Sequence, residues 1–129
     1  MADWWRCLPW CSRSTQCTGR YAERAAARYL ARRGLRLIER NYATRNGEID
    51  LIMRDGADLV FVEVRFRASD AFGDGAATVD RRKQNRVIRA ALHYIARNHR
   101  RERCRFDVVS VSRPNYRLKF NWIRNAFSS

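Results

Sequence analysis

Residues 47–67, GEIDLIMRDGADLVFVEVRFR, decide the fold. Two apolar runs, Glu48–Met53 and Leu59–Phe66, flank an Asp55-Gly56 turn and read as adjacent antiparallel strands. Each run is broken by a carboxylate: Asp50 in GEIDL and Glu63 in VFVEVRF. Burying an unpaired carboxylate is costly unless it meets a cation, a proton or several donors. Period-two alternation puts Glu63, Arg65 and Arg67 on one face, and Glu48 with Asp50 on one face of the neighbouring strand. Where those faces coincide, Asp50 and Glu63 converge. Convergent carboxylates repel each other, and a hard cation with oxygen ligands, Mg²⁺ or Mn²⁺, resolves the repulsion. The bland alternative is a buried salt-bridge network in which Arg65 and Arg67 pair with the two acids.

Upstream, Asn46-Gly47 is the strongest short hairpin signal in the chain, with a strand over Leu35–Tyr42 before it. A helix is expected from Thr18 as N-cap, with Ala22, Ala25, Ala26, Tyr29, Leu30 and Arg33 at three-and-four spacing and Gly34 as C-cap. Glu23 lies at the edge of that stripe, while Arg20, Arg24, Arg28 and Arg32 point elsewhere. A surface glutamate paired with an arginine and a functional acid are equally good readings of Glu23. Downstream, Ala68–Thr78 reads as a loop. The spacing then predicts a helix over Val79–Asn98, with Lys83, Val87, Ile88, Ala91, Tyr94 and Ile95 on one face and Arg82, Arg86, Arg89 and Arg97 largely on others. Its length suits a crossover that sets an Arg105–Val111 strand parallel to the Leu59–Arg67 strand. Arg117–Trp122 is expected at a sheet edge. Lys83 reads as a stem packed on the sheet with its ammonium in solvent, ahead of a reach into the site. Asp107 interrupts its strand as Glu63 does and is expected to orient an arginine or a helix terminus rather than a metal. His93 and His99 read as phosphate contacts or solvated groups.

The chain has 129 residues, enough for one domain, expected over residues 18–129. Residues 1–17, with Trp4, Trp5, Trp10 and Cys7, Cys11 and Cys17, are expected to be a loosely ordered tail, since the cysteine spacing matches no common zinc pattern. The balance of 27 Lys plus Arg against 13 Asp plus Glu, a formal net charge of +14, predicts a polyanionic partner. Nucleic acid is the expectation, DNA ahead of RNA, because neutralising phosphates releases counterions. A membrane is not expected: no basic amphipathic helix carries a bulky apolar face, and no window approaches the ~18 apolar residues of a span. A cytoplasmic location follows from the same reading. A basic RNA- or ribosome-associated protein would account for the charge but not for acids planted in two apolar strands.

A resemblance sharpens this. The pattern D-x(12)-E-x-(K/R) formed by Asp50, Glu63 and Arg65, after a helix carrying Glu23, resembles the PD-(D/E)XK nuclease superfamily. More closely, Gly19, Glu23, Arg24, Ala26, Tyr29, Leu30, Gly34, Asn41, the GEIDLI and VFVEV blocks, Arg67, Lys83, Ala91 and the RFDVV block at Arg105–Val109 are similar to the YraN-like bacterial protein family. The similarity spans about Thr18 to Val111. It implies an α/β, restriction-endonuclease-like fold, a central mixed sheet flanked by helices in the order α-β-β-β-α-β. It also implies Asp50 and Glu63 as metal ligands, the Val64 carbonyl as a further ligand and Glu23 as the acid that completes the site. The implied function is metal-dependent cleavage of phosphodiester bonds, branched DNA included. Arg65 and Arg67 would steady the phosphate, and Lys83, Arg82 and Arg86 would bind the nucleic acid. Resolvase-like relatives act as dimers, so the resemblance allows a homodimer. Arg65 departs from the superfamily's lysine, and arginine, always protonated, cannot serve as a base. The alternative is a catalytically weak or inactive nucleic-acid-binding module of a repair or recombination complex.

Overall fold

The computed structural model describes residues 15–67, 80–98, 101–113 and 116–128. Most of the Trp/Cys-rich tail, the expected 68–78 loop and His99 lie outside them. The described elements are α1 (Thr15–Arg32), β1 (Arg36–Thr44), β2 (Gly47–Asp55), β3 (Asp58–Arg67), α2 (Arg81–Arg97), β4 (Cys104–Ser112) and β5 (Lys119–Phe127). They form one five-stranded mixed sheet in the order β1-β2-β3-β4-β5. All neighbours are antiparallel except β3 and β4, which are parallel across the α2 crossover. This is the α/β, restriction-endonuclease-like architecture, with a fifth strand completing the edge.

One helix covers each face. Ala22, Ala26, Ala27 and Leu30 of α1 bury against Leu51, Met53, Val60, Val62, Val109 and Val111. The three alanines let the helix axis lie close to the sheet. On the other face Val87, Ala90, Ala91 and Tyr94 of α2 pack on Tyr42, Ile49, Ile52, Leu59, Phe61 and Phe106. Full burial of each large apolar side chain stabilises by roughly 1.5–3 kcal/mol, so these two layers hold the sheet between them.

Several boundaries differ from those the sequence suggests. Helix α1 begins at Thr15 rather than after Thr18. Its end is as expected: Gly34 takes φ +98 and Leu35 N–H reaches back to the Leu30 carbonyl at 3.1 Å, closing a Schellman motif. Helix α2 starts later than expected, because the Asp80 carboxylate accepts the Lys83 N–H at 2.8 Å and acts as N-cap. In the first hairpin Thr44 pairs with Gly47, so Arg45 and Asn46, not Asn46 and Gly47, form the turn. Gly47 is needed for another reason: a Cβ there would overlap the backbone carbonyl of Arg86 on α2. In the second hairpin Gly56, at φ +60, supplies the positive φ of the two-residue turn. Strand β5 runs five residues past Trp122, with an irregular register between Phe106 and Val108.

On β4, level with Val62, Asp107 is fully buried and fully satisfied. It accepts Arg105 Nε at 2.9 Å and Nη2 at 3.0 Å, Trp122 Nε1 at 2.9 Å and the Asn125 N–H at 2.9 Å. Arg105 also reaches Asp55 at 3.0 Å, so this network ties β4 to β5 and to the β2–β3 turn. Asp107 thus orients an arginine, as its place in the strand suggests.

Candidate carboxylate site

The ladder between β2 and β3 is regular from Asp55↔Asp58 to Leu51↔Val62 and stops there. The side-chain phase of β2 slips at the same point. Ile49 and Ile52 both pack under α2, whereas Leu51 and Met53 pack under α1. Asp50 sits in the slip, where acids from both faces of the sheet can reach it. Its Oδ2 accepts the Val64 N–H at 2.8 Å, so a side chain stands where a strand carbonyl would have been. The alternation expected for Glu48 and Asp50 therefore does not bring the two acids together; the opening of the ladder does.

Two glutamates meet Asp50 there. Glu63, only 2% exposed, comes from β3 on the α2 side and shares a hydrogen bond with Asp50. Glu23 comes from α1, shares a hydrogen bond with Asp50 and takes another from the Asn41 side chain. Burial first, and then the charge of Asp50, push both glutamates up to about 7. Burial also raises Asp50, against the opposing pull of the Val64 N–H and the Lys83 charge. The three carboxyl groups titrate as a linked set, all of them raised.

Lys83 departs from its expected place. Its Nζ lies 2.7 Å from Glu63 Oε2, with the side chain half exposed. The contact is a close ion pair that offsets part of the cost of burying Glu63. Burial would lower the ammonium pKa, but Glu63 outweighs it and the net shift is upward. Lys83 stays protonated near neutral pH.

The other expected residues distribute around this core. The cation on Glu63 is Lys83, not Arg65 or Arg67 as a salt-bridge network would require. Arg65 is near enough that its charge opposes protonation of Lys83, and Arg67 follows it two residues on. Val64 is engaged through its N–H. Arg82 and Arg86 are exposed on α2. His93, exposed on α2, is bonded through Nδ1 to the Tyr42 hydroxyl at 2.6 Å. Asn41 is the site residue that spacing alone does not single out; its φ of +51 turns it out of strand geometry. An amide in the middle of a strand was the available signal.

Hard oxygen donors that raise one another's pKa fit a divalent cation in donor chemistry. As the side chains stand, no three His, Cys, Asp or Glu among the described residues are spaced to hold a metal. Glu63 and Glu23 each reach Asp50, which links the three acids.

A family model described as "Uncharacterised protein family UPF0102" matches residues 22–111. A UPF0102 protein of Stutzerimonas stutzeri is 47% identical over 117 residues, covering 89% of this chain and 98% of that one. One from Alcanivorax borkumensis is 46% identical over 120 residues, covering 91% and 96%. UPF0102 protein NE0719 of Nitrosomonas europaea is 50% identical over 109 residues, covering 84% and 92%. Among the described residues no helix is long and apolar enough to cross a membrane.

Proposed function

The chain belongs to the UPF0102 family, the YraN-like family its motifs resemble, and from that premise we propose that it is a nucleic-acid-binding, divalent-metal-dependent endonuclease. One observation carries the reading: carboxyl groups from α1, β2 and β3 meet beside a lysine where the β2–β3 ladder opens. Buried acids that raise one another's pKa destabilise a fold, and such arrangements cluster at sites of chemistry.

Asp50 and Glu63 would hold Mg²⁺ or Mn²⁺. Bound there, the ion would polarise the phosphoryl oxygen, lower the pKa of an attacking water and offset charge on the leaving oxygen. Lys83, kept protonated by Glu63, stabilises negative charge as it develops on the phosphate. The helix thereby supplies the cation that the superfamily pattern draws from the strand position occupied here by Arg65. Arg65 and Arg67, permanently charged, steady phosphates beside the scissile one. Glu23, with a pKa of about 7, can exchange a proton with solvent or with Asp50 near neutral pH. Arg82 and Arg86 contact the flanking backbone, and DNA is the favoured substrate.

The test is cleavage of labelled duplex, single-stranded and four-way-junction DNA with Mg²⁺ or Mn²⁺. Asp50→Asn and Glu63→Gln should abolish cutting, Lys83→Met should slow it by about 100-fold or more, and Arg65→Lys should retain it. Cutting that survives Asp50→Asn and Glu63→Gln would sink the assignment. Arg65 favours a second reading, a non-catalytic nucleic-acid-binding module; binding without cutting in every protein, Arg65→Lys included, would establish it instead.

A further inference from the structure

The sheet registers align a second set of side chains beyond the carboxylates. Across β3, β4 and β5, Glu63 stands level with Val108 and Ile123, Arg65 with Ser110 and Asn121, and Arg67 with Ser112 and Lys119. In-register neighbours share a face, and alternation along β3 assigns these rows to the face of Phe61, the one that carries Lys83's partner Glu63. The last two rows have the same profile: a long or polar side chain on each flank and a serine between. Ser110 and Ser112 are 8% and 5% exposed and form the floor, while Asn121 and Lys119 on the far flank are exposed. Adjacent strands are ~4.8 Å apart and alternate residues ~6.7 Å apart along a strand, so the flanks are about 10 Å apart and the rows repeat about every 7 Å. Helix α2 lies chiefly on β2, with β1 and β3, and β4 is not among its main partners.

We infer that these two rows form a trough that holds the phosphodiester backbone of one nucleic-acid strand as it leaves the carboxylate cluster. Arg65, Arg67 and Lys119 supply three positive charges, and no acidic residue stands in either row. The exposed Asn121 amide adds a neutral donor beside these charges, and the small buried serines leave room between the flanks. A width of about 10 Å suits a single backbone rather than a whole duplex. Alignment with Glu63 gives the trough a direction: the bound strand runs from the carboxylates along β4 toward its C-terminal end. The inference rests on the nuclease reading only for the identity of the ligand, and its test runs without metal.

Binding of a fluorescein-labelled single-stranded oligonucleotide is measured by anisotropy in EDTA, where no cutting occurs. The proteins are wild type, Asn121→Asp, Lys119→Glu and a charge-matched control, Arg28→Glu, on the exposed outer side of α1. All three substituted side chains are exposed, and melting temperatures confirm folding. Asn121→Asp and Lys119→Glu should each weaken binding about 5- to 10-fold, and Lys119→Glu should lower the slope of log K against log salt by about 1. Arg28→Glu should change affinity less than either. Equal losses in Lys119→Glu and Arg28→Glu, or no binding by wild type, would overturn the trough. Loss confined to the trough variants supports it even if the wild type cuts nothing with metal, and cutting by a wild type whose trough variants bind normally would remove the trough while leaving the nuclease.

Discussion

Asp50 shows how one residue can be both a fault in a strand and the centre of a site. Its carboxylate replaces a ladder acceptor for Val64 and draws in Glu23 and Glu63, which hold protons up to about pH 7 instead of the usual 4.5. Between those values the unfolded chain has released these protons and the folded chain has kept them, so folding takes up protons and stability falls as pH rises through the window. The contribution is fully present below about pH 4.5 and lost above about 7. Glu23→Gln removes one of the two groups. In EDTA it should therefore melt several degrees higher than wild type at pH 8, with the gap shrinking toward zero at pH 4.5. A gap that is constant across that range would mean that burial beside Asp50 does not hold Glu23 protonated. Asp50 and Glu63 were legible in the sequence because charge inside an apolar run contradicts its own surroundings. Lys83 was legible only as a position: helical phase aimed it at the sheet, and stem packing explained that equally well until Glu63 was found 2.7 Å away. Asn41 had no such contradiction, because nothing in strand periodicity distinguishes an αL amide from an exposed one.

At the scale of elements, α2 delivers Lys83, and two residues set where α2 lies. Asp80 caps its first turn through the Lys83 N–H itself, and Gly47 lets the Arg86 backbone press against the start of β2. Gly47→Ala must push the helix off the strand, so it should cost roughly 1–3 kcal/mol and reduce cleavage beyond what its stability loss explains. Gly19→Ala has the opposite sign: within α1 nothing lies within 4 Å of its Cβ, and replacing a helical glycine by alanine should stabilise by about 0.5–1 kcal/mol. Asp80→Ala should cost about 1 kcal/mol through the lost cap. Chemical denaturation of the three variants tests the set; a neutral Gly47→Ala would place the helix farther from the strand than described. The same residues explain which parts of the fold could be read beforehand. The β2–β3 hairpin, both helices and the parallel β3–β4 pair follow from period and turn chemistry, which are local. The role of Gly47 does not, because a glycine beside a turn looks like a turn glycine and the helix that needs it is some forty positions away. The length of β5 was equally hidden: its residues alternate poorly and are held in the sheet by pairing with β4 and by the donors Trp122 and Asn125 on Asp107.

For the whole molecule the governing quantity is a net charge of +14, and among the described residues the buried acids fall in two places, the carboxylate site and the Asp107 network. The first is built around Asp50 and the second is neutralised by Arg105. A net charge of this size gives the molecule a positive long-range field, which on the proposed function would draw nucleic acid in before any local contact forms. Two kinds of arginine can be separated by how binding responds to salt. A residue that neutralises one phosphate contributes about 0.9 to the slope of log K against log salt on duplex DNA, whereas a residue acting only through the general field lowers affinity with little change in slope. Arg82 and Arg86 are exposed on the helix that carries Lys83, and if they grip the backbone flanking the cleaved bond, the double variant Arg82→Ala/Arg86→Ala should lower the slope by about 2. Arg24→Ala/Arg28→Ala on the outer side of α1 removes the same charge and should leave the slope nearly unchanged. Equal slopes for the two double variants would mean that the basic surface acts as an undivided cloud, with the chemistry at Asp50 and Glu63 the sole source of any positional preference in cutting.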